Sequence, residues 1–154
     1  MRIVAGDFGG RRLKAVPGMA TRPTTDKVKE ALFNIIGPYF DGGRSLDLFA
    51  GSGGLSIEAV SRGISQAVLI DRQYAAIQTI KDNVAVTKAP EKFEILKRDA
   101  NKALVELGRR GAQFDLVFFA PPYAQQKILA QMAQLRELKV LAPAARIVCE
   151  TAQQ

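Results

Sequence analysis

The chain has 154 residues, 47% hydrophobic and 24% charged, and its 22 Lys+Arg against 15 Asp+Glu give a net charge of +7; this describes one globular domain with a sizeable core and excludes a disordered or fibrous chain. The absence of His removes Ser-His triads, His bases and His-ligated metals, and the single Cys149 removes disulfides and thiolate clusters, so no metal is expected. No apolar run approaches the roughly 20 residues of a membrane helix, and the N-terminus has no signal-type apolar stretch, so the expected location is the cytoplasm, without a membrane partner.

Taken in chain order, residues 2–16 read as a short hairpin: Ile3 and Val4 enter a turn over Gly6-Asp7-Phe8-Gly9-Gly10, and residues 13–16 leave it. Seven cations (Arg2, Arg11, Arg12, Lys14, Arg22, Lys27, Lys29) against Asp7 and Asp26 place +5 of the total +7 in residues 1–29. Clustered cations gain affinity for a phosphate backbone by releasing its counterions, although a solvated basic arm has the same composition. Residues 1–20 are therefore expected to form a basic extension and residues 21–154 the main domain.

After Pro17-Gly18, the stretch Arg22-Pro23-Thr24-Thr25-Asp26 offers a helix N-cap, and Val28, Ala31, Leu32, Ile35 and Ile36 recur at helical spacing until Gly37-Pro38. From Ser45 the pattern alternates. Strand SLDLFA, turn GSGG, helix LSIEAVSRG and strand QAVLID are followed by a helix over residues 74–86 and a strand over 93–96. A helix over 100–109, a strand over 114–119, a helix over 127–137 and a strand over 145–150 complete the series. Such alternation implies right-handed crossovers and a mostly parallel sheet covered on both faces, a three-layer α/β/α fold.

In Asp47-Leu48-Phe49-Ala50-Gly51-Ser52-Gly53-Gly54 an apolar strand runs into a glycine turn and then a helix, so backbone can approach a ligand beside a helix N-terminus. No Lys-Ser/Thr pair follows, which excludes a P-loop, and Ser56 occupies the third glycine position of the dinucleotide pattern. Asp47 would repel a pyrophosphate but attract the ammonium and sulfonium of S-adenosylmethionine. These features argue against a nucleotide-dependent oxidoreductase and for the methyl donor. Asp71, 20 positions after Gly51, ends the second strand where its oxygens could take both ribose hydroxyls, and Asp99 ends the third where an adenine amino group would lie. Strand-end acids are also ordinary punctuation in parallel α/β folds.

Phe118-Phe119-Ala120-Pro121-Pro122-Tyr123 ends the fourth strand in a double proline and an aromatic ring. Two prolines fix φ and leave carbonyl acceptors beside a stacking surface. Methylation of an exocyclic amine suits that arrangement: acceptors on the amine hydrogens return density to the nitrogen, and a base stacked on Tyr123 presents it for attack.

With MRIVAGDFGGRRL, TRPTTDKVKEALFNII, DLFAGSGGL and PPY, the chain resembles the class I S-adenosylmethionine-dependent amino-methyltransferases, and among them the bacterial RsmD family of small-subunit rRNA guanine-N2 methyltransferases, over nearly its whole length. The resemblance implies a Rossmann-like fold preceded by a hairpin. It also implies cofactor contacts at Thr24, Asp47, Gly51, Gly53, Asp71, Asp99 and Ala100, with a catalytic element at Ala120, Pro121, Pro122 and Tyr123. RNA contacts fall to the basic hairpin, for which Arg11, Arg12, Lys14 and Arg22 are the candidates. The implied activity is methylation of a guanine N2 amine in 16S rRNA, on the free RNA or the small ribosomal subunit. Two departures stand out. The family has Asp or Asn where this chain has Ala120, which implies impaired transfer or a non-catalytic module that binds donor and RNA. Family members continue beyond the fifth strand, so the sheet is expected to lack its last strands; the oligomeric state is left open.

Overall fold

The structure, a computed structural model, describes residues 1–18, 25–120 and 125–149. Within them α1 (Asp26–Ile36), β1 (Arg44–Asp47), α2 (Gly54–Ser61), β2 (Gln66–Asp71), α3 (Tyr74–Thr87), β3 (Phe93–Lys97), α4 (Ala100–Arg109), β4 (Phe114–Phe119), α5 (Gln125–Glu137) and β5 (Leu141–Cys149) follow one another. Every strand pair is parallel, in the order β3-β2-β1-β4-β5. The chain thus winds outward from β1 to β3, crosses back, and winds the other way through β4 and β5. At such a reversal the connections leave β1 and β4 toward opposite faces, which opens a crevice at their carboxyl ends.

The strands are apolar on both faces because helices cover both. In β2, Ala67 and Leu69 join a core built with Phe33, Ile57, Val60, Ile77 and Ile80 of the first three helices, whereas Val68 and Ile70 join one built with Leu104, Leu107, Ile128 and Leu135 of α4 and α5. Helix starts follow local chemistry. Among the residues offered as N-cap before α1 it is Thr25 whose Oγ1 accepts the Val28 amide, at 3.2 Å, and Asp99 caps α4 by accepting from the Asn101 and Lys102 amides.

The N-terminal arm is packed into the first core through Ile3, Phe8 and Leu13. Its hairpin is narrower than the sequence pattern predicts. Arg2 and Arg12 form one antiparallel bridge, supported by bonds from Ile3 N to Arg11 O and from Gly10 N to Ile3 O; beyond it, the Lys14 backbone pairs with the side chain of Asn83 rather than with the first strand. The boundary expected near residue 20 lies outside the described residues.

Several boundaries differ from expectation. β1 ends at Asp47, because Asp47 Oδ1 accepts the Phe49 amide and turns the chain. Helix α5 starts at Gln125. β5 starts at Leu141 rather than 145: Leu141 pairs with Phe114, the register then jumps so that Arg146 faces Leu116, and Pro143 and Ala144, the latter at φ 62°, absorb the irregularity.

Candidate active site at the carboxyl ends of the strands

The glycine turn sits where β1 delivers the chain into the crevice. Gly51 and Gly53 have φ of 58° and 82°, left-handed values that favour glycine. At Gly53 a side chain would also meet Leu69 Cδ2 at 3.1 Å, whereas at Gly51 the Cβ direction is open for 4 Å. The turn is thus pressed onto the core at Gly53 and leaves room for a ligand at Gly51. Gly53 is the N-cap of α2 and supplies no side-chain cap, so the positive end of that helix dipole is presented beside the open position.

Two of the expected acids, Asp71 and Asp47, meet this turn. Asp71 Oδ2 accepts the Gly51 amide at 3.0 Å and Oδ1 accepts the Gln73 amide at 2.9 Å, so one carboxylate joins the glycine turn to the start of α3. Asp47 is 3% exposed and is built into the floor of the turn through Phe49. Asp99, at the end of the next strand, uses Oδ2 to cap α4, whose first residue is the buried Ala100. Each carboxylate therefore shapes backbone, and Asp71 in addition lies against the open glycine.

Ala120 follows β4 directly, at the sheet end where Leu48 N meets Phe118 O, and is half-buried. It stands beside the turn with no polar side chain. Phe49 fills the adjoining space edge-on to Phe119, with ring centroids 5.8 Å apart. Thr24, Arg22, Pro121, Pro122 and Tyr123 lie outside the described residues.

The basic arm divides into structural and outward-facing cations. Arg11 donates to the Val86 and Thr87 carbonyls at 3.1 and 3.0 Å, capping the end of α3, and lies 5.4 Å from the Phe8 ring centroid. Lys14 is exposed and pairs loosely with Asp82 at 3.6 Å; Arg12 and Lys27 are exposed. Lys29, counted with the basic cluster in the sequence, is buried at 1% exposure. The outward charge is correspondingly smaller than the formal count.

Sequence reasoning passed over the residues that dock the arm. Glu58, fully buried on α2, accepts the Val4 and Ala5 amides and is paired with Lys29 and Arg62. Ser61 Oγ accepts the Phe8 amide and donates to Ala5 O. Asn83, fully buried on α3, binds both Lys14 backbone groups and the Ser52 carbonyl. An acid among Leu55, Ile57, Ala59 and Val60, and an Asn inside a helix, were the available signals, since neither residue type favours such a place without a partner.

Two shallow depressions, of about 380 Å³ beside α4 and α5 and about 400 Å³ at the amino end of the sheet, include no residue of the glycine turn. Among the described residues no group of His, Cys, Asp and Glu could hold a metal ion, and no helix is long and apolar enough to cross a membrane.

The family model described as "Conserved hypothetical protein 95" matches residues 1–154. The Bacillus subtilis protein named "Putative rRNA methyltransferase YlbH" is 49% identical over 150 residues, 97% of this chain and 82% of that protein. Escherichia coli "Ribosomal RNA small subunit methyltransferase D" is 34% identical over 151 residues, covering 98% and 74%. The solved structure of "Putative methyltransferase yhhF" from Escherichia coli superposes with a TM-score of 0.85 at 36% identity, covering 98% of this chain and 81% of that one. The chain belongs to this family, which bears out the resemblance to the RsmD methyltransferases and the Rossmann-like methyltransferase fold.

Proposed function

We propose that the chain binds S-adenosylmethionine at the glycine turn and methylates the exocyclic N2 amine of a guanine in 16S rRNA, as free RNA or in the small ribosomal subunit, in the cytoplasm. The observation that carries the reading is the Asp71 carboxylate on the Gly51 amide, beside a position open for 4 Å. A nucleoside seated there meets backbone on one side and, at its ribose, an acid whose oxygens retain further lone pairs.

The residues present fit the donor. Gly51 admits its amino acid portion beside the start of α2, with Gly53 packing the turn onto the core, and the dipole there favours the carboxylate. Asp47, 3% exposed beneath the turn, adds the negative charge that suits an ammonium and a sulfonium. Asp71 takes the ribose hydroxyls, and Asp99 and Ala100 border the adenine; the resemblance adds Thr24, which lies outside the described residues. Held by Asp47, Gly51 and Asp71, the donor would supply an electrophilic sulfonium-bound methyl group for transfer to an amine nitrogen, whose surplus proton would pass to water. The catalytic element implied by the resemblance, Pro121, Pro122 and Tyr123, would offer that nitrogen carbonyl acceptors and a stacking surface. Arg12, Lys14 and Arg22 steer the phosphate backbone, with Arg11 holding the arm that carries them.

Ala120 favours a second reading, a module that binds donor and RNA without turnover, because the side-chain acceptor of the family is absent there. Incubation with radiolabelled donor and 16S rRNA, followed by digestion to nucleosides, separates the two. Label in N2-methylguanosine is the expected result. Label in another nucleoside overturns the guanine assignment, and saturable donor binding without any label establishes the module.

A further inference from the structure

We infer that Asn83 is a positioning residue that ties the RNA-facing arm to the donor-binding turn, so that the two ligands strengthen each other's binding. The inference rests on the methyltransferase reading of both sites. Asn83 is fully buried inside α3, and both its amide hydrogens and its oxygen are engaged. Oδ1 accepts the Lys14 amide at 2.8 Å, while Nδ2 donates one hydrogen to Lys14 O at 2.9 Å and the other to Ser52 O at 2.8 Å. Ser52 lies between the open Gly51 and the packed Gly53. One side chain thus joins the outgoing strand of the basic arm to the middle of the turn.

The incoming strand reaches the same place. Met1 O accepts the Leu13 amide at 2.8 Å, and Met1 Sδ accepts a 3.8 Å hydrogen bond from Ser52 Oγ. From below, Glu58 and Ser61 of α2, the helix that starts at this turn, hold residues 4–8. A displacement of the arm near Lys14 therefore acts on the same buried amide that holds the Ser52 carbonyl. A donor that orders the turn orders the arm through Asn83, so RNA arriving next loses less conformational freedom, and linkage makes the effect equal in the other direction.

The test uses the full chain, 16S rRNA transcript, and S-adenosylhomocysteine, which lacks the transferable methyl and so prevents turnover. Each affinity is measured with and without the other ligand. Each ligand is expected to tighten the other by the same factor, about tenfold. Asn83→Asp keeps the size and one acceptor but turns an oxygen toward two carbonyls, and is expected to bring the factor to unity. A purely structural role would lower both separate affinities and leave the factor unchanged, which overturns the inference. If Asn83→Asp does not fold, amide exchange in the unaltered chain decides: S-adenosylhomocysteine should slow exchange at Lys14 and RNA should slow it at Gly53, and absence of either effect overturns the inference. Independent binding of both ligands by the unaltered chain defeats this inference alone, whereas failure of both to bind defeats the methyltransferase reading itself.

Discussion

Asp71 serves two ends with one carboxylate: it accepts the Gly51 and Gln73 amides that shape the turn, and it is the acid proposed to hold the ribose. Its place was legible in the sequence because a fixed spacing, 20 residues from Gly51, follows from one strand-helix-strand unit. Asp99 was legible for the same reason, although its visible work is to cap α4. At position 120, where the resemblance implies Asp or Asn, this chain has Ala. If one acceptor preorganised for the developing charge is missing there, Ala120→Asp should raise single-turnover methyl transfer by about 10²–10³, with little change in donor affinity, because the proposed donor contacts lie at the turn and just past β2 and β3. Equal rates for the two proteins in a rapid-quench assay would show that the side chain at position 120 takes no part in the chemistry.

At the scale of elements, α2 does more than follow the glycine turn. Its Glu58 gathers two backbone amides of the arm, Lys29 of α1 at 3.4 Å and Arg62 at 2.7 Å, and Lys29 also donates to the Arg2 carbonyl at 2.6 Å. Removing the shared anion strands two buried cations and two amides. Glu58→Ala should therefore cost about 3–5 kcal/mol, read as a lowered urea midpoint with the arm released. Burial holds the Lys29 ammonium below the ordinary lysine pKa, against the opposing pull of Glu58. Between that lowered value and the unfolded value of about 10.4, the unfolded chain binds more protons, so this group's contribution to stability rises with pH across the window. In Lys29→Met that rise should be missing from the stability profile measured by denaturant titration at alkaline pH. This network was not legible in advance, because burial of Lys29 depends on which helix faces meet, and a linear charge count assigns every lysine to the surface.

Across the whole molecule, the alternation of strands and helices was readable because the central strands β1, β2 and β4 are short, largely buried apolar runs, and each helix between strands begins at a turn or a capping residue. The docking of the arm was not, since Asn83 and Glu58 meet it across 69 and 54 positions of sequence. Nor was the early start of β5, where Pro143 and the left-handed Ala144 interrupt a strand that nonetheless pairs on both sides of them. The crevice at the strand reversal, and not the depressions elsewhere, is the proposed seat of the methyl donor. Backbone amide shifts recorded by NMR during titration with S-adenosylmethionine test this placement most directly. Saturable shifts should be largest at Gly51, Gly53, Gln73 and Asn101, at the ends of β1, β2 and β3. Saturation with the largest shifts on the outer face of α4 or at the amino end of the sheet, or no saturable shift at all, would contradict the account.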